Sequence, residues 1–359
     1  MSKKRKTKVK LEDLAREAQV SKATVSLALN GSPRIAVDTV RRINELVEKY
    51  NYTPNSLARR LSKRTSETVS LFMMGRPDDT SGWLLPSSWL FYNPIFKGIS
   101  LTLSENNYQL SFEFIDLGSH KRIGNIINHA QSSSADGLLI LIIDEFDYSF
   151  LEELGSYLPI ITLNKKLSEA LSSVEVDNIK GAIDVVTYLA NLGHEKIAHI
   201  KGPEFAYNAV DRFTGYLEAL RILGLETTDA YIQEGDWNID SGKQNMDRLL
   251  KLANPPTAVF CANDHMAIGA MEAIIEAGLR VPEDISLVGF DDTEMSRIAR
   301  PRLTTVCQPL EQLGRAAARE ILRRIREQDL PPEKEHIVLS PSLVERESSR
   351  PILRSETKS

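Results

Sequence analysis

Apolar runs of strand length alternate with amphipathic helical stretches throughout the chain after residue 67. Consecutive parallel strands need a long crossover, which is usually a helix, so this alternation predicts parallel sheets with helices on both faces. No repeat of fixed period accompanies it. The apolar runs are Thr68 to Met73, Leu110 to Ile115, Gly137 to Ile143, Pro159 to Leu163, Lys196 to Ile200, Ala258 to Ala262 and Ser286 to Phe290, and the helical stretches include Ile179 to Leu192, Asp211 to Leu223, Ser241 to Ala253 and His265 to Ala277.

Charge is distributed unevenly along the 359 residues. Residues 1–66 hold 16 Lys and Arg against 6 Asp and Glu, a net charge of +10; the whole chain has a net charge of -5, so the remainder carries -15. A chain of this length exceeds one hydrophobic core, and two or three compact units are expected. A basic head on an acidic body favours a nucleic acid that is bound at one end only.

Residues 10–54 predict a unit of three short helices. After the first helix the apolar pattern breaks at Gln19, Ser21 provides an N-cap oxygen for a second helix, and Asp38 opens a third. Such a unit also occurs in small bundles that bind no DNA, but the positive charge favours DNA binding. If the second helix enters the major groove, Ser21, Thr24 and Asn30 are suited to phosphates and Lys22 and Ala23 to base edges.

The segment from Asn55 to Lys63 is too short for a stable isolated helix, so it is expected to fold only when a partner orders it. In a symmetric pair in the minor groove, Ala58 would allow close approach of the two helices and Leu61 would wedge between base steps. The alternative is a plain linker.

The run from Leu11 to about Leu71, with LEDLAREAQVSKATVSLALNGSPRIAVDTVRRI and YNYTPNSLARRL, resembles the headpiece and hinge of the lactose-repressor (LacI/GalR) family. The resemblance implies that the second helix reads DNA and that Leu61 is a minor-groove lever. Leu27 departs from the arginine that many members have there, which implies a different operator base pair at that point. The family resemblance also implies a homodimer, because two headpieces read two half-sites.

Catalytic signatures are absent from the body: G-x-G-x-x-G, the P-loop and G-x-S-x-G do not occur, so we predict that the chain is not an enzyme and uses no cofactor. His194 is interpreted as a structural turn residue. The carboxylates of Asp291 and Asp292 are better explained as ligand acceptors or helix caps than as an acid and base. Cys261 and Cys307 stand apart from any metal-binding pattern.

The resemblance continues over the body, most specifically in VFCANDHMAIGAMEAIIEAGLRVPEDISLVGFDDTEMSRIARPRLTTV, GPEFAYNAVDRFTGYLEAL and EGDWNIDSG. It implies the fold of periplasmic sugar-binding proteins, with two lobes crossed three times by the chain and a small-molecule effector between them. That place agrees with the rule that parallel sheets bind ligands beyond the carboxyl ends of their strands. The effector-binding residues implied by position are Phe96, Asn164, Arg212, Trp237, Asn263, Asp291 and Gln308.

One segment departs from the family. GRPDDTSGWLLPSSWLFYN is interpreted as an extended loop beside the cleft, and it carries the aromatic residues Trp83, Trp89, Phe91 and Tyr92. Exposed rings are costly unless they cover something, so they either pack on a partner subunit or provide stacking faces for a ligand.

The predicted architecture is an α/β chain with a helix-turn-helix headpiece (1–54), a hinge helix and linker (55–66), a two-lobed body (67–347) and a tail (348–359). The first lobe is expected to comprise about 67–176 plus 310–330, and the second about 177–309 plus 331–347. No secretory signal or membrane span is predicted, which favours the cytoplasm. The partners expected are operator double-stranded DNA, a second copy and a small effector. A sugar is favoured over a nucleobase or other planar metabolite, and a sugar-binding transport protein is a third alternative.

Overall fold

The structure is a computed structural model that describes residues 10–29, 32, 34–50, 65–75, 86–116, 126, 134–226, 228–327 and 333–352, with only the backbone of residues 86–90. It divides into two compact units, residues 1–65 and 66–359. The headpiece prediction falls in the first unit and the two-lobed body in the second.

The first unit packs three helices, α1 (Leu11–Glu17), α2 (Lys22–Leu29) and α3 (Val37–Tyr50). Each helix gives one fully buried side chain to a shared core: Leu14, Val25 and Ile43. Short helices of this kind are marginal alone, so the packing of their apolar faces stabilises them. The predicted helix-turn-helix arrangement is confirmed.

The first lobe of the second unit is built on a six-stranded parallel sheet in the order β11-β5-β4-β3-β1-β2. Its central strands are apolar on both sides because α4 and α11 cover one face and α5 lies over the other. The elements are β1 (Thr68–Gly75), α4 (Pro86–Glu105), β2 (Gln109–Asp116), β3 (Gly137–Ile142), α5 (Phe150–Leu154), β4 (Ile160–Leu163), β5 (Ser172–Val176), α11 (Leu310–Arg326) and β11 (His336–Leu339).

The second lobe has a four-stranded parallel sheet in the order β7-β6-β8-β9, with a small antiparallel pair β10-β12 beside it. Helices α6 and α7 cover one face, and α8 and α9 the other. The elements are α6 (Asn178–Asn191), β6 (Ile197–Lys201), α7 (Tyr207–Leu223), β7 (Ile232–Glu234), α8 (Ile239–Leu250), β8 (Ala258–Cys261), α9 (Asp264–Glu276), β9 (Ser286–Val288), α10 (Glu294–Ile298), β10 (Thr305–Cys307) and β12 (Ser342–Val344).

The chain passes between the lobes after β5, between β10 and α11, and between β11 and β12. The first passage follows residue 176, and the second lies between residues 307 and 310. The predicted assignment of residues 331–347 to the second lobe is wrong for β11, because this strand pairs with β5 in the first sheet. The third passage falls at residues 340–341 instead.

The described part of the predicted tail belongs to the second lobe. Ser348 is fully buried and donates to the carbonyl oxygen of Leu287 at 2.6 Å. His194 lies 3.1 Å from the carbonyl oxygen of Arg350 and 3.0 Å from the hydroxyls of Thr257 and Ser286. This network explains His194 as a structural residue, as its place in a turn predicts, and burial lowers its pKa.

The extended loop predicted before Asn93 is shorter than expected, because α4 begins at Pro86. Proline suits a first helical turn, where its missing N–H has no intrahelical partner. None of the helices in the described part of the chain combines the length and hydropathy that a bilayer crossing requires.

Candidate functional site

Helix α2 exposes the side chains that the sequence assigns to DNA. The hydroxyl of Ser21 accepts from the backbone N–H of Thr24 at 3.0 Å, which confirms the predicted N-cap. Val25 and Ala28 are buried against the neighbouring helices, whereas Lys22 and Ala23 are exposed.

Farther along α2, Leu27 is 43% exposed and lies on the outward side with Ala23. A large apolar side chain at that position fits a surface that is covered when the unit binds its partner.

Lys22 forms an ion pair on this surface. Its ammonium group lies 2.7 Å from the carboxylate of Glu12 on α1, and this hydrogen bond lowers the pKa of Glu12. Both side chains are more than half exposed, so the pair contributes little stability. Lys22 can therefore exchange Glu12 for a phosphate or a base edge at small cost.

Several of the predicted site residues lie outside the described residues: Asn30, Asn55, Ala58, Leu61, Trp83 and the side chain of Trp89.

A cavity of about 790 Å³, including its open mouth, lies between the two lobes of the second unit, at the carboxyl ends of both sheets. The described residues that line it are Phe91, Tyr92, Ile142, Ile143, Asp144, Asn164, Phe205, Ala206, Tyr207, Asn208, Arg212, Trp237, Asn238, Asn263, His265 and Asp291.

Arg212 on α7 is an almost fully buried charged residue of the pocket wall, with 1% of its surface exposed. Its Nε donates to Oδ1 of Asn178 at 2.9 Å, and its Nη1 donates to the carbonyl oxygen of Ala262. The guanidinium carbon lies 3.8 Å from the ring centroid of Phe290. Nη2 is buried and has no hydrogen-bond partner among the described residues, so the fork retains an unused donor.

Asp291 faces the same guanidinium, with Oδ1 3.5 Å from Nη1 of Arg212. It follows β9 with φ 117°, a left-handed backbone that a residue other than glycine adopts only where its surroundings hold it. Nε2 of Gln308 donates to its Oδ1 at 2.6 Å. Burial raises the pKa of Asp291 to about 6, although Arg212 and Gln308 act in the opposite direction.

A second carboxylate, Asp264, lies behind Asp291 and is fully buried. It accepts from the backbone N–H of Thr293 at 2.7 Å and from the hydroxyls of Thr293 and Thr305. Burial and the charge of Asp291 raise its pKa to about 7. Asp264, Asp291 and Arg212 therefore form one buried cluster, in which the positive charge of Arg212 interacts with both carboxylates.

Asp292 has a different role from its neighbour. It pairs with Arg297 at 2.7 Å and with Arg346. Burial raises its pKa, but the two arginines outweigh burial and the pKa is lowered. Asp292 is thus a structural ion-pair partner, and the interpretation of the Asp291–Asp292 pair as an acid and a base is not supported by their separate surroundings.

Trp237 and Asn263 form a connected part of the wall. Oδ1 of Asn263 accepts from the backbone N–H of Met266 at 2.9 Å and caps α9, while its Nδ2 donates to the carbonyl oxygen of Trp237 at 2.9 Å. Asn263, which the sequence assigns to the ligand, lines the cavity, and its amide also links the start of α9 to the backbone of Trp237.

The first lobe contributes Phe91 and Tyr92 from α4, whose rings meet edge to face at 5.1 Å between centroids. Burial and the charges of Asp144 and Asp291 raise the pKa of Tyr92, so its phenol stays neutral. Asn164 follows β4 with φ 72°, and its Nδ2 lies 3.4 Å from the carbonyl oxygen of Ile142.

Two matches to known family models cover most of the chain. Residues 10–55 match the model described as bacterial regulatory proteins, lacI family, and residues 186–349 match a periplasmic binding protein-like domain. The probable transcriptional repressor ExuR of Bacillus subtilis is 37% identical over 330 residues, which cover 91% of this chain and 94% of ExuR. The chain belongs to the LacI family.

Solved structures of LacI-family members agree with this assignment. The lac repressor dimer bound to operator and the anti-inducer ONPF has a TM-score of 0.81 and 28% identity, covering 96% of this chain and all of that one. The CelR–cellobiose complex has a TM-score of 0.69 and 31% identity, covering 95% of this chain and all of CelR. This LacI-family member is a DNA-binding transcription regulator with a headpiece and a periplasmic-binding-protein-like body.

Two predicted effector residues take other places in the regulator. Phe96 is not among the residues that line the cavity; its ring packs edge to face on Phe112 at 4.8 Å, within the first lobe. Gln308 also lies off the lining and reaches the site through Asp291. Position in the family pattern does not reveal which way a side chain points.

Sequence reasoning missed several residues of the lining. Asp144, Ile142 and Ile143 lie at the carboxyl end of β3, so the rule on the carboxyl ends of parallel strands was a usable signal for them. The other missed residues lie in loops or at helix starts, where no periodic pattern marks them: Phe205, Ala206, Tyr207, Asn208, Asn238 and His265.

Proposed function

We propose that this LacI-family regulator is a repressor whose affinity for operator DNA is controlled by a small carbohydrate bound in the interlobe cavity. The observation that carries the proposal concerns Arg212, a residue that lines the cavity and whose buried Nη2 has no hydrogen-bond partner among the described residues. An unsatisfied buried donor of this kind costs free energy unless a ligand oxygen accepts from it.

The remaining lining supports a polyhydroxylated ligand. Asp291 and Asp144 accept hydrogen bonds, and the amides of Asn164 and Asn238 both donate and accept, which matches hydroxyl groups. The ring of Trp237 offers an apolar face for the carbon side of a sugar. The CelR relative was solved with cellobiose, a ligand of this chemical class.

Control of DNA binding requires that the ligand distinguish two arrangements of the lobes. The lobes meet beside the cavity, where the backbone N–H of Glu145 donates to the carbonyl oxygen of Phe205 at 2.8 Å. Lys165 of the first lobe also lies 3.4 Å from Asp211 of the second. A ligand that contacts both lobes would favour the arrangement with these contacts. We further propose a homodimer that reads two half-sites.

The test combines ligand binding with DNA binding. The purified protein is titrated by calorimetry with cellobiose, ribose, and a purine and a pyrimidine nucleoside, and its retardation of DNA from upstream of its own gene is then measured with each ligand at ~50 mM salt, where phosphate contacts are strong. We expect one sugar to bind and to change retardation, in either direction.

A nucleoside that changes retardation while every sugar is silent would replace the carbohydrate with a planar metabolite, the second candidate. That candidate is supported by the rings of Phe91, Tyr92 and Trp237, which would stack on a base as well as on a sugar. Failure to retard any of this DNA would contradict control of its own upstream region.

A further inference from the structure

Gly202, directly after β6, lies against the indole of Trp237. A Cβ atom added at Gly202 would overlap Cη2, Cζ2 and Cζ3 of that ring, all within 2.8 Å. Distances below 3.0 Å essentially never occur for real Cβ atoms, so a side chain at this position would require the ring to move. The ring therefore occupies the space that the missing side chain leaves.

The backbone of Trp237 is held in place by a hydrogen bond. Its carbonyl oxygen accepts from Nδ2 of Asn263 at 2.9 Å, and its φ is 74°, which only a tightly fixed turn maintains for a tryptophan. On one flank, the backbone N–H of Gly235 donates to the carbonyl oxygen of Lys201 at 2.8 Å. Since the backbone is fixed, an indole displaced from Gly202 has to move by side-chain rotation.

Trp237 also lines the cavity, so a ring displaced from Gly202 can move into that space. The guanidinium carbon of Arg212 lies 5.8 Å from its ring centroid. Rotation away from Gly202 would narrow the cavity and change the distance between the aromatic wall and the arginine donor. Ligand stacking and the hydrogen bond to Arg212 depend on that distance together.

We propose that Gly202 is a specificity-determining position. Because it has no side chain, the indole of Trp237 can lie against it, and the position of the indole determines how thick a ligand ring the cavity accepts. The role in ligand choice rests on the proposed function. The placement of the indole does not, so the two are tested separately.

The first experiment needs no ligand. The chain has three tryptophans, and replacing Trp83 and Trp89 with Phe leaves Trp237 as the single emitter. In that background, Gly202→Ala should shift the emission of Trp237 and increase its quenching by acrylamide. Gly155→Ala is the matched control, because a Cβ there meets only Leu171 at 3.2 Å and helix carbonyls at 3.3 Å or more, with φ -60°. Identical emission in the Gly202→Ala and parent proteins would overturn the proposal.

A rescue variant covers the case in which Gly202→Ala folds poorly. Trp237→Leu shortens the side chain that the new methyl group meets, so the double variant Gly202→Ala/Trp237→Leu should unfold at a higher temperature than Gly202→Ala alone. If the double variant is no more stable, the overlap is not with Trp237 and the proposal fails.

The last experiment uses the sugar that binds in the calorimetric series. Gly202→Ala should weaken its binding at least 10-fold in the natural chain and less than 2-fold in a Trp237→Ala background. Equal losses in both backgrounds would show that Gly202 acts independently of the ring. If no ligand from the series binds, the carbohydrate proposal fails and the emission and rescue experiments still decide the place of the indole.

Discussion

The second lobe holds its pocket residues with hydrogen bonds from its own core, whereas the first lobe offers mainly rings and aliphatic side chains. Arg212 is fixed by Asn178 and Ala262, and Asp291 by Gln308. The first lobe has no arginine in the described lining, to which it contributes the rings of Phe91 and Tyr92.

This difference suggests a division of labour. Groups that are already oriented lose little entropy when a ligand arrives, so the second lobe is expected to supply most of the affinity. The first lobe then closes over the ligand, and its contacts determine how strongly binding changes the lobe arrangement. Variants in the two lobes should therefore separate affinity from response.

The largest effect is expected from Arg212→Ala. It removes the unused donor and leaves Asp291 buried without its countercharge, so ligand affinity should fall at least 100-fold, about 3 kcal/mol, as measured by calorimetry. Operator affinity without ligand should change less than 2-fold. Arg221→Ala, at the exposed end of the same helix, is the control. A normal dose response in Arg212→Ala would remove this arginine from the site.

A first-lobe substitution should have a smaller effect on binding and a larger one on response. Tyr92→Ala removes a ring from the wall, and we expect about a 10-fold loss of ligand affinity, about 1.4 kcal/mol. The ligand-saturated change in operator affinity should also shrink. Tyr157→Ala changes a tyrosine of the same lobe that is 59% exposed, and it should leave both quantities unaltered. Unchanged response at saturation would contradict the division.

The buried acids of the second lobe predict a pH effect. The pKa of Asp291 in the folded protein is about 6, above its usual value of 3.8, so the folded state binds the extra proton between these values. The free energy of unfolding should therefore lose a contribution of about 1–2 kcal/mol as pH rises from about 4 through 6. Urea unfolding of the natural chain and of Asp291→Asn across this range measures it as a difference. Parallel pH profiles of the two proteins would refute the assignment.

The smallest effect concerns the ion pair between the lobes. Lys165 and Asp211 are each about a quarter exposed, so their ion pair is weak, and Asp211→Asn should remove an interaction free energy of only about 0.5 kcal/mol. The ligand concentration at half response should shift about 2-fold. Because loss of the pair is the cause, adding Lys165→Met to Asp211→Asn should produce no further shift. An additional shift would mean that the two residues act separately.

Sequence pattern located the long elements well because their apolar periodicity is strong. All seven apolar runs are strands in the structure, and the four helical stretches are helices within a few residues. Among the described residues, five strands of three to five residues were missed, namely β5, β7, β10, β11 and β12, because segments this short show little periodicity. The wrong position predicted for the third passage results from β11 alone, because the sequence HIVL is compatible with a strand in either sheet.

The site was predictable where the family resemblance fixes a position, and less so where a side-chain direction matters. Arg212, Asp291 and Trp237 all line the cavity, while Phe96 turns to Phe112. Asn263 shows a further limit. An asparagine suits ligand binding, an N-cap and a hydrogen bond to the backbone equally, and only the structure shows that Asn263 both caps α9 and donates to the carbonyl oxygen of Trp237.

The late return of the chain to both lobes has a consequence during synthesis. The headpiece core is complete once α3 has formed, at Tyr50. The core and sheet of the first lobe are complete only after α11 and β11 have been synthesised. The second lobe is complete only after Ser348, which donates to the carbonyl oxygen of Leu287. A chain whose translation stops before residue 336 would thus carry a finished DNA reader beside an unfinished sensor, and it would compete for operator sites without answering to any effector.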